Sequence, residues 1–196
     1  MSRIHASDAV NGGAIYRHAS FLTGKLGEKI ASEALTIIDD STMPGLFGSA
    51  PFDDEGVPSR RTVVIEKGVL RSYLLNCYAA RKLGMKTTGS AGGNHNLVLQ
   101  GGDLDLPGLI RKMGRGLLVT ELIGFGVNLV TGDYSRGAAG FWVEGGEIRH
   151  PVEEITIAGN LRDMFRSIAA IGSDALTRGS RTTGSILIEG MTVAGN

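Results

Sequence analysis

The chain has 196 residues, 42% of them apolar, enough to bury one sizeable core or two small ones without a disulfide or metal staple. Twenty basic side chains balance 20 acidic ones, so no global field draws the chain to nucleic acid or to an anionic membrane, and no basic run is longer than Arg60-Arg61. The single cysteine, Cys77, excludes an internal disulfide and fits a reducing cytoplasm; the polar start from Ser2 to Asp8 does not read as a signal peptide, and the best apolar run, Leu117 to Val130, is too short to span a membrane and is broken by Glu121 and Asn128.

Ile15, Ala19, Leu22 and Leu26 recur at spacings of three and four, which predicts a short amphipathic helix over residues 11–27, ended by Gly24 or Gly27. Nothing in Met1 to Val10 reads as an element, so the chain is expected to begin inside a larger architecture. Leu35 to Ile38 predicts a strand followed by a turn at Asp39-Asp40-Ser41, and residues 43–58, with three prolines and three glycines, predict a loop. Within that loop, Asp53, Asp54 and Glu55 read first as a solvated acidic run or as partners for Arg60 or Arg61. A hard cation or a peptide amine is the functional alternative, although metal ligands are usually spread over alternate or more distant positions.

Arg61 to Glu66 and Val69 to Leu75 are β-rich runs around Lys67-Gly68, the two-residue connection of a type I′ hairpin. Residues 78–84 predict a short helix stopped by Gly84, and Cys77, with no histidine near it in sequence, reads as a packing residue rather than a nucleophile. His95, between two asparagines in the Gly-rich loop 87–96, reads as an exposed loop residue; its functional alternative is to orient a substrate carbonyl or carry a proton. Leu97 to Leu99 predicts a strand, Asp105 to Met113 a helix with Asp105 as N-cap, and Leu117 to Ile123 a further strand.

The stretch from Gly124 to Trp142 places Asn128, Asp133, Tyr134, Ser135 and Arg136 between two apolar runs and punctuates them with five glycines. The plain reading is a Gly-rich hairpin; the functional one is a tightly turning backbone that passes near another chain or a ligand. Gly145-Gly146 signals a second hairpin closed at Pro151, and Ile155 to Ile157 a strand. Asn160 is expected to cap the best helix of the chain, with Leu161, Met164, Phe165, Ile168 and Ala169 on one face and Gly172 as its stop. Short strands follow at Ile186 to Ile188 and Met191 to Val193, and Thr156-Ile-Ala-Gly-Asn160 is echoed by Thr192-Val-Ala-Gly-Asn196. Hairpin signals outnumber strand-helix-strand alternation, so the expected fold is α+β, a mostly antiparallel, strongly curved sheet or half-barrel with three or four short helices, forming one domain over residues 1–196.

Pro51-Phe-Asp-Asp-Glu-Gly-Val57, Ala80-Arg-Lys-Leu-Gly84, Thr88-Gly89 with Ala91-Gly92-Gly93, Val127-Asn-Leu-Val-Thr-Gly-Asp-Tyr-Ser-Arg-Gly137, Thr156 to Asn160 and Ile188 to Asn196 together resemble the C-terminal half of the TldD/PmbA family, on its PmbA (TldE) side. The resemblance implies a C-terminal domain without the family's N-terminal α+β half. It also implies a cytoplasmic metalloprotease of two related subunits, acting on unfolded peptides such as peptide-antibiotic precursors and an antitoxin; the family's older name is modulator of DNA gyrase. In the TldD-type subunit a His-Glu-x-x-x-His helix and a cysteine in a Gly-x-Cys-Gly context hold zinc. Here His5, His18, His95 and His150 are scattered, and Gly179-Ser-Arg-Thr-Thr-Gly184 stands where the cysteine is expected.

From that departure we expect no catalytic or metal-ligating residue and no cofactor in this chain, with zinc on a TldD-type partner. The expected partners are a TldD-like subunit or a second copy, and an unfolded peptide, with no direct nucleic acid and no membrane. Asp53, Glu55, His95, Asn128, Asp133, Tyr134, Ser135 and Arg136 are the candidate substrate-binding residues. Two alternatives remain: a self-sufficient metallopeptidase whose ligands lie in the missing half, and a non-enzymatic regulator of the gyrase-modulator type. A nucleophilic hydrolase has less support, because no serine sits in a Gly-x-Ser-x-Gly elbow.

Overall fold

The computed structural model describes residues 5–195. Its first elements are α1 (His5–Ala9) and α2 (Gly12–Tyr16), so the expected helix over 11–27 is shorter than its apolar spacing predicts and another helix precedes it. Asn11 caps α2 by accepting from the Gly13 N–H at 2.9 Å, and His18, at φ 55°, lies beyond its end. Phe21 and Leu22 then reach the core from turns rather than from a helical face.

The chain continues through β1 (Ile37–Asp40), β2 (Arg61–Glu66), β3 (Val69–Leu70), α3 (Cys77–Lys82), β4 (Leu97–Leu99) and α4 (Leu106–Met113). Strand β1 begins and ends two residues later than expected, which puts Asp39 and Asp40 in the strand and leaves the turn to Ser41 and Thr42. Lys67 and Gly68 both have positive φ, 45° and 79°, as a type I′ turn requires, and they join β2 to β3. The Asp105 side chain accepts from Gly108 N at 2.8 Å and caps α4.

A long meander follows: β5 (Arg115–Ile123), β6 (Asp133–Glu144) and β7 (Glu147–Asn160), then α5 (Leu161–Arg166), β8 (Ile168–Ile171), β9 (Leu176–Arg178), β10 (Arg181–Thr183), β11 (Ile186–Ile188) and β12 (Thr192–Ala194). Two expectations change here. Pro151 does not close a strand but sits inside β7, opposite Phe141; β12 covers β7 only at residues 156–158, so the missing proline N–H falls on an open flank. The helix after Asn160 stops at Arg166, because Ile168 and Ile171 turn into β8 and pair with β11.

The strands form a six-stranded sheet in the order β3-β2-β1-β4-β10-β9, a four-stranded sheet β12-β7-β6-β5 and a pair β11-β8. All pairings are antiparallel except β4 with β10. The fold is therefore α+β and mostly antiparallel, and the described strands form no closed barrel; five helices are described rather than three or four. The echoed segments Thr156 to Asn160 and Thr192 to Gly195 are neighbours, since Thr192 pairs with Ala158 and Ala194 with Thr156, while Asn196 lies outside the described residues. One apolar cluster joins the sheets: Ile37, Ile65, Leu97 and Leu99 from the first, Tyr134, Ala138, Ile155 and Ile157 from the second, and Ile168 and Ile171 from the pair.

Candidate functional site

The candidate residues separate into two constellations. The first is built on the turn between β5 and β6. The segment after β5 folds back against the start of β6: Val127 bridges Tyr134, Ser135 N donates to the Gly126 carbonyl at 2.7 Å, and Asn128 N donates to the Asp133 carbonyl at 2.8 Å. This approach needs glycine at 126, where a Cβ would stand 1.5 Å from the Ser135 carbonyl oxygen. Asn128 also shapes the turn, its carbonyl accepting from Gly132 N at 2.8 Å and its side-chain oxygen from Val130 N at 2.9 Å.

Asp133 completes the closure. Its carboxylate accepts from the Thr131 hydroxyl at 2.6 Å and from the Asn160 amide at 3.1 Å, and these two bonds, the Thr131 bond first, hold the carboxyl below its usual range. The Asn160 side-chain oxygen meanwhile accepts from Arg162 N at 3.0 Å, so one residue caps α5 and ties it to the turn. The sequence signals only the cap.

Phe125, Gly126, Val127 and Asn128 on one side and Asp133, Tyr134 and Ser135 on the other line an open cavity of about 380 Å³. Phe125 is 99% exposed, an apolar side chain that no described residue covers. Tyr134 is buried, its ring edge-on to His5 at 6.0 Å; burial pushes its hydroxyl pKa up against the opposing pull of Arg136. Ser135 is exposed, and half-buried Arg136 donates from Nη2 to the Leu122 carbonyl at 3.3 Å.

The second constellation holds Asp53, Glu55 and His95, brought together where loop 43–59 meets loop 87–96. Asp53 corrects the expectation of a solvated or Arg-paired run: it is 5% exposed, one carboxylate oxygen accepts from Glu55 N at 3.0 Å and Val57 N at 2.9 Å, and the other from Ala91 N at 2.9 Å. Burial opposes ionisation, but the three N–H bonds win and leave its pKa lowered. Glu55 accepts from Cys77 N at 2.7 Å at the start of α3, and its carboxylate pushes the Cys77 thiol pKa up, away from nucleophilic thiolate. Arg61 pairs instead with Asp40 at 3.8 Å, and Arg60 donates to the Thr87 carbonyl at 2.5 Å.

His95 is also corrected, since it is buried rather than an exposed loop residue, with Nδ1 3.4 Å from Asp39 Oδ2. Asp39 is itself 1% exposed and its Oδ1 has no partner among the described residues, so burial, only partly offset by His95, raises its pKa. Asn96, next to His95, does as much to hold the loops: its amide donates to the Asp40 carbonyl and Ser49 hydroxyl, both at 2.8 Å, and its oxygen accepts from Gly48 N at 2.9 Å. An aspartate ending an apolar strand and a loop asparagine were the only local signals.

Zinc needs three or four nitrogen, sulfur or carboxylate ligands converging within about 2.3 Å. Among the described residues no three of His, Cys, Asp and Glu come together in that way, so the residues present do not fit a zinc site. In the segment 179–184, Gly179 and Ser180 make the turn from β9 into β10, residues 181–183 are β10 itself, and the side chains are Ser, Arg and Thr. No described helix is long and apolar enough to cross a membrane.

Comparison with known proteins identifies the family. Residues 2–195 match the family model described as the PmbA/TldA metallopeptidase C-terminal domain. The chain is 50% identical over 191 residues to the metalloprotease PmbA of Escherichia coli O157:H7, covering 97% of this chain but 42% of that protein. A solved Bacteroides thetaiotaomicron structure, described as a modulator of DNA gyrase, superposes with a TM-score of 0.91 at 38% identity, covering 97% of this chain and 43% of that one. TldE from Thermococcus kodakarensis gives 0.86 at 30% identity, covering 96% and 46%. The chain thus spans less than half the length of these relatives, and with nearly all of its own length matched it belongs to the PmbA/TldD metallopeptidase family.

Proposed function

We propose that this chain is the C-terminal domain of a PmbA/TldE-like subunit, the half of a cytoplasmic TldD/TldE-type metalloprotease that carries no zinc of its own. Its work is to pair with a zinc-bearing subunit and to help hold an unfolded peptide for cleavage. The observation that carries this reading is the conjunction of family membership with side chains that do not fit a zinc site among the described residues.

The open cavity beside β5 supports the peptide-holding part. Among the described strands β5 is an edge strand, paired only with β6, so one flank of its nine-residue backbone is available to an added strand. A peptide added there gains main-chain hydrogen bonds, which select for an extended, unfolded chain rather than for a sequence. Exposed Ile123 and Phe125 extend that flank with apolar surface, and the cavity residues Asn128, Asp133, Tyr134 and Ser135 adjoin it. Asp53, Glu55 and His95 are given a supporting role, holding loops 43–59 and 87–96. Direct contact with DNA by a regulator of the gyrase-modulator type has less physical support, because the net charge of zero supplies no attraction to DNA.

The test is zinc content and peptidase activity on an unfolded peptide, measured for the full-length protein alone and mixed with a TldD-type subunit. Zinc and activity are expected only in the mixture. Stoichiometric zinc with activity in this protein alone would refute the assignment.

A further inference from the structure

Among the described residues, Arg136 is a cation without a counter-charge. Strand alternation puts it on the side of β6 that carries Tyr134 and Ala138, both buried, and it is itself half-buried. Among the described residues it joins no ion pair. Of its five N–H donors one, on Nη2, reaches the Leu122 carbonyl at 3.3 Å, and the Nε–H is buried with no acceptor among the described residues. The four residues before His5 bring no side-chain carboxylate either, being Met-Ser-Arg-Ile. Removing a guanidinium from water without a partner is costly, and a carboxylate meeting its planar fork in two parallel bonds recovers that cost.

Arg136 follows Tyr134, which lines the open cavity, by two residues on the same face of β6. We infer that Arg136 is a carboxylate-recognition residue of the peptide groove, taking either the C-terminal carboxylate of the bound chain or an Asp or Glu side chain within it. This rests on the peptide-binding reading above and adds what main-chain pairing along β5 cannot supply, a chemical preference among extended chains. Arg136 is a specificity residue; it makes or breaks no bond in the reaction.

Three versions of one flexible ten-residue peptide test it in the full-length protein: a free C-terminal acid, its amide, and the amide with one internal Asp. In the wild type the acid and the Asp-bearing amide should each bind about tenfold more tightly than the plain amide, the size of one charge-assisted contact. A preference confined to the free acid assigns the terminal carboxylate, and one confined to the Asp peptide assigns a side chain. Arg136→Gln should equalise all three, whereas Arg136→Lys should retain part of the preference as a point charge without the fork. Equal binding of all three by the wild type, or a preference that survives in Arg136→Gln, overturns the inference.

A second measurement separates this inference from the reading beneath it. N-acetylglycine should shift the Arg136 Nε–H resonance in an NMR titration, and N-acetylglycinamide should not. That shift with no peptide binding of any kind keeps the carboxylate site and removes the peptide reading. Peptide binding with neither the shift nor a carboxylate preference keeps the peptide reading and removes the site.

Discussion

Replacing Asp53 by Asn keeps the shape of the side chain and removes its charge, which makes it a clean probe of the contact between loops 43–59 and 87–96. The wild-type carboxylate takes three backbone N–H groups, two from its own loop and one from Ala91. An amide has a single acceptor oxygen, so at best it keeps Glu55 and Val57 and sets its NH2 against the Ala91 N–H. Losing one charge-assisted bond and stranding a buried donor costs about 2 to 3 kcal/mol. For a chain of this size that lowers Tm by roughly 4 to 12 °C. Urea and thermal unfolding followed by circular dichroism should show the loss with an unchanged denaturant slope. Because the folded pKa of Asp53 is depressed, its stabilising contribution is complete above the unfolded carboxylate value and disappears only as pH falls through the lower, folded value. The gap between wild type and Asp53→Asn should therefore persist at neutral and mildly acidic pH and close in strong acid. A change below about 0.5 kcal/mol accompanied by weaker peptide binding would refute the structural role and return Asp53 to the groove.

Asp39 has the opposite sign: burial raises its folded pKa, so it stabilises fully below the ordinary carboxylate value and loses that contribution as pH rises through the raised one. Stability of the wild type minus that of Asp39→Asn should fall in denaturant titrations as pH rises above the ordinary carboxylate value of about 4; a difference that grows with pH would contradict this. Gly126→Ala drives a Cβ into the Ser135 carbonyl and should cost more than about 2 kcal/mol in urea unfolding while abolishing peptide binding at the adjoining cavity. Lys67 carries positive φ in a type I′ turn, so Lys67→Asn should raise the unfolding free energy from urea titration by up to about 1 kcal/mol, and a lowered midpoint would count against the turn assignment.

What could be read from the sequence followed the range of the interactions involved. The turns at Lys67-Gly68 and Gly145-Gly146, the Asp105 cap of α4 and the Asn160 cap of α5 are decided within a few residues, and each is found where its local chemistry predicts. Ile168 and Ala169 fit a helical face equally well in sequence; their pairing with Ile186 to Ile188 in β11, a distant contact, makes them a strand instead. Strands β9 and β10 are three residues each and mostly polar, so no periodicity reveals them. Asp133, Tyr134 and Ser135 line one side of the open cavity as consecutive residues, so their clustering is visible in the sequence. The burial of His95 and Asp53 did not show, since Asp39 is 56 residues from the first and Ala91 is 38 from the second. Phe125 stands out only once the fold leaves it uncovered.

The apolar cluster that takes Ile37 and Leu97 from one sheet, Tyr134 and Ile157 from another and Ile168 from a third leaves the chain without a seam. A cut in any connecting loop would divide side chains that complete one another's packing, and neither piece would keep an intact interior. The edges of β5 and the turn that carries Phe125 are accordingly held by contacts made throughout the polypeptide, so the geometry they offer to a visitor is a property of the whole molecule rather than of the meander that displays it.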